Sequence, residues 1–198
     1  MERVLSILSR FTFPIFAFIA TIAVLLASQY VFFWDTIQLG SKHAHWYYEQ
    51  QFQYLLLPTE IDSGHPPVFG MYLAVVWKVF GKTMAVAHFA VLPFLLGIVW
   101  QVYRLINYFA TKYQFLILFL VLTNVILLGQ STLVSPDVAF LFCFLFALNG
   151  VLYLKKWQII IGSIGLGLLS IRGIFAIMAL IGIHFRIDKK VKPLTIFI

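Results

Sequence analysis

The chain has 198 residues, of which 62% are hydrophobic, 18% aromatic and only 11% charged. A soluble domain is about half apolar and about a quarter charged, so this chain has too little polar surface to cover a globule in water. Its net charge of +7 comes from 14 basic and 7 acidic residues. The basic residues lie in short clusters between apolar runs, which indicates the orientation of a membrane protein rather than a nucleic-acid partner. The single cysteine, Cys143, lies inside an apolar run and excludes a disulfide framework.

Five apolar runs predict membrane-spanning helices, because about 20 apolar residues are needed to cross a bilayer. The first run is too long for the core of a cleaved signal peptide. The last long stretch, 157–185, has the length of a hairpin of two short helices. The predicted fold is therefore an all-α, polytopic transmembrane helical bundle that forms a single domain. The spans are expected at about 11–33, 84–106, 114–131, 137–154, 157–170 and 172–185.

The stretch 67–81 is apolar but too short to span, since its 15 residues cover about 22 Å of a hydrocarbon core roughly 30 Å thick. If it lies on the outer surface, ten of the 14 basic residues face the cytoplasm, as the positive-inside rule favours. We therefore predict an outer loop at 34–83 that carries an interfacial or re-entrant helix at 67–81. The residues assigned to the cytoplasmic side are Arg3, Arg10, Arg104, Lys112, Lys155, Lys156, Arg186, Lys189, Lys190 and Lys192.

Two acidic residues on the predicted outer face are candidates for a functional site. Asp35 directly follows an aromatic run and lies where the first helix leaves the membrane; a helix-end carboxylate that meets water is the alternative interpretation. Asp137 follows Ser135-Pro136 and opens the fourth span, a pattern that helix capping explains by itself. Both residues are predicted on the same side of the membrane, and this makes them candidates for one site.

His65 lies in the turn that precedes the interfacial helix, and Pro66 restricts it to extended geometry. His43, His45 and Asp62 are near it in sequence, so a metal site can be imagined. However, no compact zinc signature is present, and we expect catalysis without a metal or another cofactor.

Arg172 is the only basic residue in the apolar stretch 157–185. An arginine at membrane depth is costly and is usually paired or functional. Two interpretations stay open: the side chain snorkels to the interface from a hairpin turn, or it binds a lipid-linked phosphate in bidentate fashion.

The order of these features resembles the polytopic GT-C glycosyltransferases, in particular the protein O-mannosyltransferase and aminoarabinose-transferase branch that is called glycosyltransferase family 39-like. In that family an acidic residue opens the first outer loop, and a proline motif leads into a surface helix that ends in Phe-Gly. Here Asp35 is followed 30 residues later by His65-Pro66-Pro67, and the helix closes with Phe80-Gly81. The motifs around Asp137 and Arg172 are similar to the family's later outer turns.

The resemblance implies transfer of a sugar from a polyprenyl-phosphate donor to an acceptor on the periplasmic or lumenal face. It implies that Asp35 is the catalytic carboxylate and that His65, Asp137 and Arg172 bind substrate, with Arg172 facing the lipid phosphate. Thr36 stands where the family often has a second acidic residue, so a single carboxylate is expected.

The family analogy favours the bacterial inner membrane, with the active site towards the periplasm. Membrane lipid and the lipid-linked donor are the expected partners, and nucleic acid is not. Leu194–Ile198 begins another apolar run, so we expect the chain to be an N-terminal part of a longer protein. The alternatives are a transporter or flippase of lipid-linked substrates, which should show repeated broken helices, and a non-catalytic membrane scaffold.

Overall fold

The computed structural model describes residues 2–32, 36–109 and 113–195, and these residues form helices joined by turns and by one longer loop at 50–67, with no β-strand among them. The predicted all-α fold class is therefore confirmed. A single π-helical turn, Ile37–Ser41, runs directly into the second α-helix. The helices are α1 (Glu2–Ala27), α2 (Lys42–Glu49), α3 (Val68–Phe80), α4 (Met84–Phe109), α5 (Gln114–Leu122), α6 (Val125–Ser131), α7 (Pro136–Leu152), α8 (Lys156–Leu169) and α9 (Gly173–Thr195).

The first helix ends earlier than the predicted span 11–33, because α1 stops at Ala27. The Gln29 N–H donates to the Leu26 carbonyl at 3.3 Å, and the Tyr30 N–H donates to the Ala27 carbonyl at 3.0 Å. These bonds reach back three residues rather than four, which tightens the last turn and ends the helix. The prediction of helix over 28–32 was therefore wrong, and residues 33–35 lie outside the described part of the chain.

The predicted span 114–131 consists of two helices, α5 and α6, that meet at an angle of 65°. The break falls at Thr123-Asn124. The side-chain oxygen of Asn124 accepts hydrogen bonds from the N–H groups of Ile126 at 3.0 Å and Leu127 at 3.4 Å. Asparagine is a favoured N-cap because its side chain satisfies the first free N–H groups of a helix. Asn124 thus begins a new helix in the middle of the apolar run.

By length and composition, α4 is the one helix among the described residues that is long and apolar enough to cross a membrane. The bent pair α5–α6 would be a second if it is counted as one span. The other apolar helical segments have 10–17 residues. Helix length and composition therefore do not show six spans, and the six-span arrangement belongs to the proposed function.

Helix α4 lies at the centre of the packing, between α1 and α7, and α8 packs closely along α7. Small residues allow the close approach of α7 and α8. A Cβ atom added at Gly162 would come within 2.7 Å of the Ala147 Cβ, and one at Gly150 within 2.8 Å of the Gln158 Cβ. The fully buried side chains around these helices include Ile98, Leu118, Val134, Val151 and Leu166.

A buried polar network joins α4, α7 and α8. The Asn149 amide nitrogen on α7 lies 2.9 Å from the Gln101 carbonyl and 3.0 Å from the Gln101 Oε1 on α4. Arg104, also on α4, donates to the Gln158 Oε1 on α8 at 3.3 Å. Because hydrogen bonds between helices fix their register in an apolar environment, this network holds one end of the bundle in place.

The segment 36–83 forms a compact unit of α2, α3 and the loop between them. A Cβ atom at Gly70 on α3 would overlap the Cβ of His43 on α2, so glycine permits the two helices to touch. The Tyr47 hydroxyl donates to the Leu55 carbonyl at 2.7 Å, and the Lys42 ammonium donates to the Glu60 carbonyl at 3.0 Å. Helix α3 has 13 residues and lies within the predicted interfacial helix 67–81.

Candidate functional site

The structure brings together two of the predicted site residues, Asp137 and Arg172, which are 35 positions apart in sequence. The Arg172 Nη2 donates to the Asp137 Oδ1 at 2.7 Å. Both side chains are accessible, with 65% of the Arg172 side chain and 37% of the Asp137 side chain exposed. A short, charge-assisted hydrogen bond of this kind fixes the direction of the guanidinium while leaving most of its donors free for another anion.

Local structure positions each partner of this pair. The Ser135 hydroxyl caps α7 by accepting from the Asp137 N–H at 3.2 Å, which places the carboxylate in the first helical turn. The Ser170 hydroxyl accepts from both the N–H and the Nε of Arg172, at 3.3 Å each. Gly173 is required beside it, because a Cβ there would overlap the Leu166 carbonyl. The turn between α8 and α9 therefore presents Arg172 at the N-terminal end of α7.

An apolar cleft of about 690 Å³, here called the inner cleft, opens beside the pair between α4, α5, α6 and α7. Asp137 is the most N-terminal of the α7 residues that line it, and Asn124, Gln130 and Ser131 are its other polar residues. The buried Gln130 Oε1 has no hydrogen-bond partner in the described part of the protein. Leu127 of α6 lines this cleft and also two further apolar clefts, of about 100 and about 390 Å³.

Asp35, the predicted catalytic residue, lies outside the described residues. On either side of it in the chain, Phe32 and Ile37 line a second cleft of about 600 Å³, here called the outer cleft. The π-helical turn that follows packs against the turn before Asp137, since a Cβ at Gly40 would come within 3.2 Å of the Val134 carbonyl oxygen. The described chain after Asp35 is therefore a direct neighbour of the segment that carries Asp137.

His65 is half-buried in the turn between α2 and α3. The Asp62 carboxylate accepts from the Gly64 N–H at 2.9 Å, and Gly64 has a φ of 71°, a left-handed conformation that suits glycine. Among the described residues, no hydrogen bond or ion pair joins His65 to Asp137 or Arg172. The structure thus places His65 in the loop between α2 and α3 and does not join it to the ion pair.

His43 is fully buried, and its Nε2 lies 3.2 Å from the Ser63 hydroxyl. Burial lowers the pKa of His43 from its ordinary value of 6.5, and the nearby Asp62 carboxylate opposes that effect. His45 instead accepts a hydrogen bond from Lys82. In the part of the chain that the structure describes, no group of three or more His, Cys, Asp or Glu side chains could hold a metal ion.

The outer cleft contains charged residues that the sequence analysis did not single out. The Lys82 ammonium donates to the Glu49 carboxylate at 2.8 Å and lies 4.9 Å from the centre of the Tyr48 ring and 5.8 Å from that of Trp77. The hydrogen bond from Lys82 lowers the pKa of Glu49. The signal was present in the sequence as an aromatic-rich stretch, His43–Tyr54, in which Glu49 follows His45 by one helical turn.

No family model, curated protein or solved structure matches this chain. The chemistry of the site is therefore inferred from its geometry alone. A cation held by a carboxylate beside a long apolar cleft suits an amphiphile with an anionic headgroup, because the cleft can take the apolar part and the guanidinium the charge. Neither feature alone selects such a ligand.

Proposed function

We propose that the protein is a multi-pass membrane glycosyltransferase that moves a sugar from a polyprenyl-phosphate donor to an acceptor on the periplasmic or lumenal face. The observation that carries this proposal is the 2.7 Å ion pair of Asp137 and Arg172 beside the inner cleft. The resemblance to GT-C glycosyltransferases supplies the reaction class. The proposal includes the six spans, the bacterial inner membrane and an active site that faces the periplasm.

The inner cleft is the proposed site of the polyprenyl chain. Nine of its 13 lining residues are aliphatic, and its volume of about 690 Å³ is in the range of roughly 300–1,000 Å³ that is usual for ligand sites. Asp137 is the polar residue nearest to Arg172, so a lipid that lies in this cleft would place its phosphate beside the guanidinium. Arginine suits that role because its planar fork matches the geometry of phosphate oxygens.

The ion pair has two roles in the proposed reaction. Before the donor binds, Asp137 holds Arg172 in a fixed direction. When the sugar leaves, negative charge grows on the prenyl phosphate, and a preoriented cation stabilises that charge without reorganisation. The carboxylate also disfavours a second anion, which restricts the site to one phosphate group.

Asp35 is the proposed catalytic base, by its position in the resemblance. Removing the acceptor proton as the glycosidic bond forms requires a carboxylate within reach of the acceptor. The residue after it, Thr36, is buried and cannot ionise, which supports a mechanism with a single carboxylate. The packing of Gly40 against Val134 supports a position of this segment near the lipid phosphate.

The proposal is tested by assaying the full chain in lipid nanodiscs with a panel of radiolabelled undecaprenyl-phosphate hexoses and pentoses. Asp35→Asn should lower the rate of transfer by at least about 100-fold, as expected for loss of a general base. Arg172→Gln should lower it by about 100-fold or more, as for loss of one charge-stabilising group, with Arg172→Lys intermediate.

Two matched controls separate function from folding. Glu60→Gln removes an exposed carboxylate from the same outer segment, and Arg186→Gln removes an exposed arginine from α9. Both should retain the activity of the unmodified chain. Full activity in Asp35→Asn would refute its catalytic role, and the absence of transfer from every donor would refute the proposed function.

A transporter of lipid-linked substrates is the second candidate, and the 65° break between α5 and α6 favours it. Broken helices commonly line the substrate path of transporters. Under this alternative, the unmodified chain moves undecaprenyl phosphate across a vesicle membrane without any transfer of sugar. A transfer activity that depends on Asp35 would exclude it.

A further inference from the structure

We propose that the outer cleft is a saccharide-binding site. Its volume of about 600 Å³ lies in the usual range for small-molecule sites, roughly 300–1,000 Å³. It lies in the compact unit of α2 and α3 and shares no lining residue with the inner cleft. Binding here goes beyond the proposed sugar transfer and does not require it.

Aromatic side chains provide the apolar part of the outer cleft. Trp46, Trp77 and Phe32 line it. The C–H faces of a sugar ring are apolar and pack against aromatic rings, while its edges carry hydroxyl groups. An indole or phenyl surface next to polar groups therefore matches a saccharide better than it matches a purely apolar or purely charged ligand.

The polar lining of this cleft both donates and accepts hydrogen bonds. Lys82 donates, Glu49 accepts, and Gln50, Ser41 and Thr83 do both. A hydroxyl group also does both, whereas a phosphate group only accepts. The Lys82 ammonium has three N–H donors and already donates to Glu49 and His45, so it has one left for a ligand, and the Glu49 carboxylate would accept from a hydroxyl. This set of groups selects a polyol over the headgroup of an anionic lipid.

The polar groups are also held in place before any ligand arrives. The Lys82 ammonium is fixed by Glu49, by His45 and by the faces of Tyr48 and Trp77. Trp77 is only 3% exposed, and its buried Nε1 has no hydrogen-bond acceptor in the described part of the protein. Preorganised groups lose little conformational freedom on binding, which favours measurable affinity for a small, well-hydrated ligand.

The test measures binding of the full chain, in phosphatidylcholine nanodiscs without any lipid-linked donor, to a panel of neutral oligosaccharides of hexoses, hexosamines and pentoses. At least one should bind. Lys82→Gln and Glu49→Gln should each weaken that binding by about tenfold or more, since a hydrogen bond to a charged group is lost. Trp46→Ala should weaken it, and Trp46→Phe should restore part of the affinity.

Lys78→Gln is the matched control. Lys78 also contacts an aromatic ring, at 5.0 Å from the centre of Phe52, and donates one hydrogen bond to Gln51, but it does not line the outer cleft. Its variant should bind the saccharide like the unmodified chain. The proposal is overturned if no saccharide binds, if Lys82→Gln and Glu49→Gln bind it unchanged, or if Lys82 instead governs binding to phosphatidylglycerol vesicles. Because no donor is present, failure of sugar transfer and failure of this site are separate results.

Discussion

At the scale of single residues, His43 is one of the residues that join α2 to the loop before α3. It is fully buried, it touches Gly70 and its Nε2 lies within hydrogen-bonding distance of Ser63. The charged and titratable groups that act on it are Asp62, Lys42 and His65. Because burial outweighs the attraction of Asp62, the neutral form of His43 is the one that the folded loop accommodates.

This burial predicts a pH dependence of the loop at 58–67. The pKa of His43 is lowered in the folded chain, so the unfolded chain takes up a proton first as the pH falls below 6.5. The contribution to stability is fully present above pH 6.5 and is lost as the pH falls through the lower folded value. Amide hydrogen exchange of 58–67, corrected for intrinsic rates, should therefore increase between about pH 7.5 and about pH 5.

Two variants test whether the pH dependence of exchange comes from His43. His43→Gln should remove most of the pH dependence of exchange over this range, whereas His65→Gln should retain it. A dependence that survives in His43→Gln and disappears in His65→Gln would contradict the prediction, and would assign the titration to His65.

At this scale, the sequence indicates some residues of the candidate site and not others. Asp137 and Arg172 are candidates because each breaks a local pattern: Asp137 follows a capping Ser-Pro, and Arg172 interrupts an apolar stretch. Glu49 and Lys82 break no pattern, and their contact joins positions 33 apart. Only the packing of α2 against α3 brings them together, so the sequence shows the aromatic stretch around Glu49 but not its contact with Lys82.

At the scale of elements, the contact of α2 with α3 depends on the absence of a side chain at Gly70. In Gly70→Ala the new methyl group overlaps the Cβ of His43, and neither helix can move without disturbing the other's contacts. We expect a loss of about 1–3 kcal/mol in the free energy of unfolding, as for other overpacked sites. The measurement is unfolding in mixed micelles titrated with sodium dodecyl sulfate, followed by tryptophan fluorescence.

Gly182→Ala is the control for that experiment. A Cβ at Gly182 on α9 meets no atom within 4 Å, so this variant should remain within about 0.5 kcal/mol of the unmodified chain. Equal stability of Gly70→Ala and the unmodified chain would show that α2 and α3 can separate freely.

Two helix breaks show where mean hydropathy predicts the helix boundaries and where it does not. The division of 157–185 near residue 172 was predicted, because Arg172-Gly173 interrupts the apolar pattern, and α8 and α9 are separate helices. The break at Thr123-Asn124 was missed, although asparagine is a good N-cap. Two uncharged polar residues hardly change the mean hydropathy of an 18-residue run. The capping bonds of Asn124 decide the geometry there, and hydropathy does not measure them.

At the scale of the whole molecule, the distribution of charge predicts a definite orientation. Lys82 lies on the outer side of the proposed arrangement and Lys155 on the cytoplasmic side. In a Cys143→Ala background, Lys82→Cys should react with a membrane-impermeant maleimide in intact cells. Lys155→Cys should react only after the membrane is permeabilised. Labelling of Lys82→Cys only after permeabilisation would invert the arrangement and refute the proposed position of the active site.

The structure joins two of the four predicted site residues. Asp137 and Arg172 form an ion pair, no described hydrogen bond joins His65 to it, and Asp35 falls outside the described residues. Counting charges assigns a residue to one side of a membrane, but it does not give distances along that side. Those distances depend on how the outer segment packs on the turns between helices, as Gly40 does against Val134.

The short helix α6 has a consequence for how the protein can change by mutation. Leu127 lines the inner cleft and both of the other apolar clefts that border α6. A substitution there alters the shape of three cavities at once. Under the proposed function, a change that fits the inner cleft to a new lipid disturbs the other two, so adaptation is easier at residues that border a single cavity, such as Leu120 or Ile126. The bend between α5 and α6 thereby limits the evolutionary freedom of Leu127 and of Ile98, which lines the same three clefts.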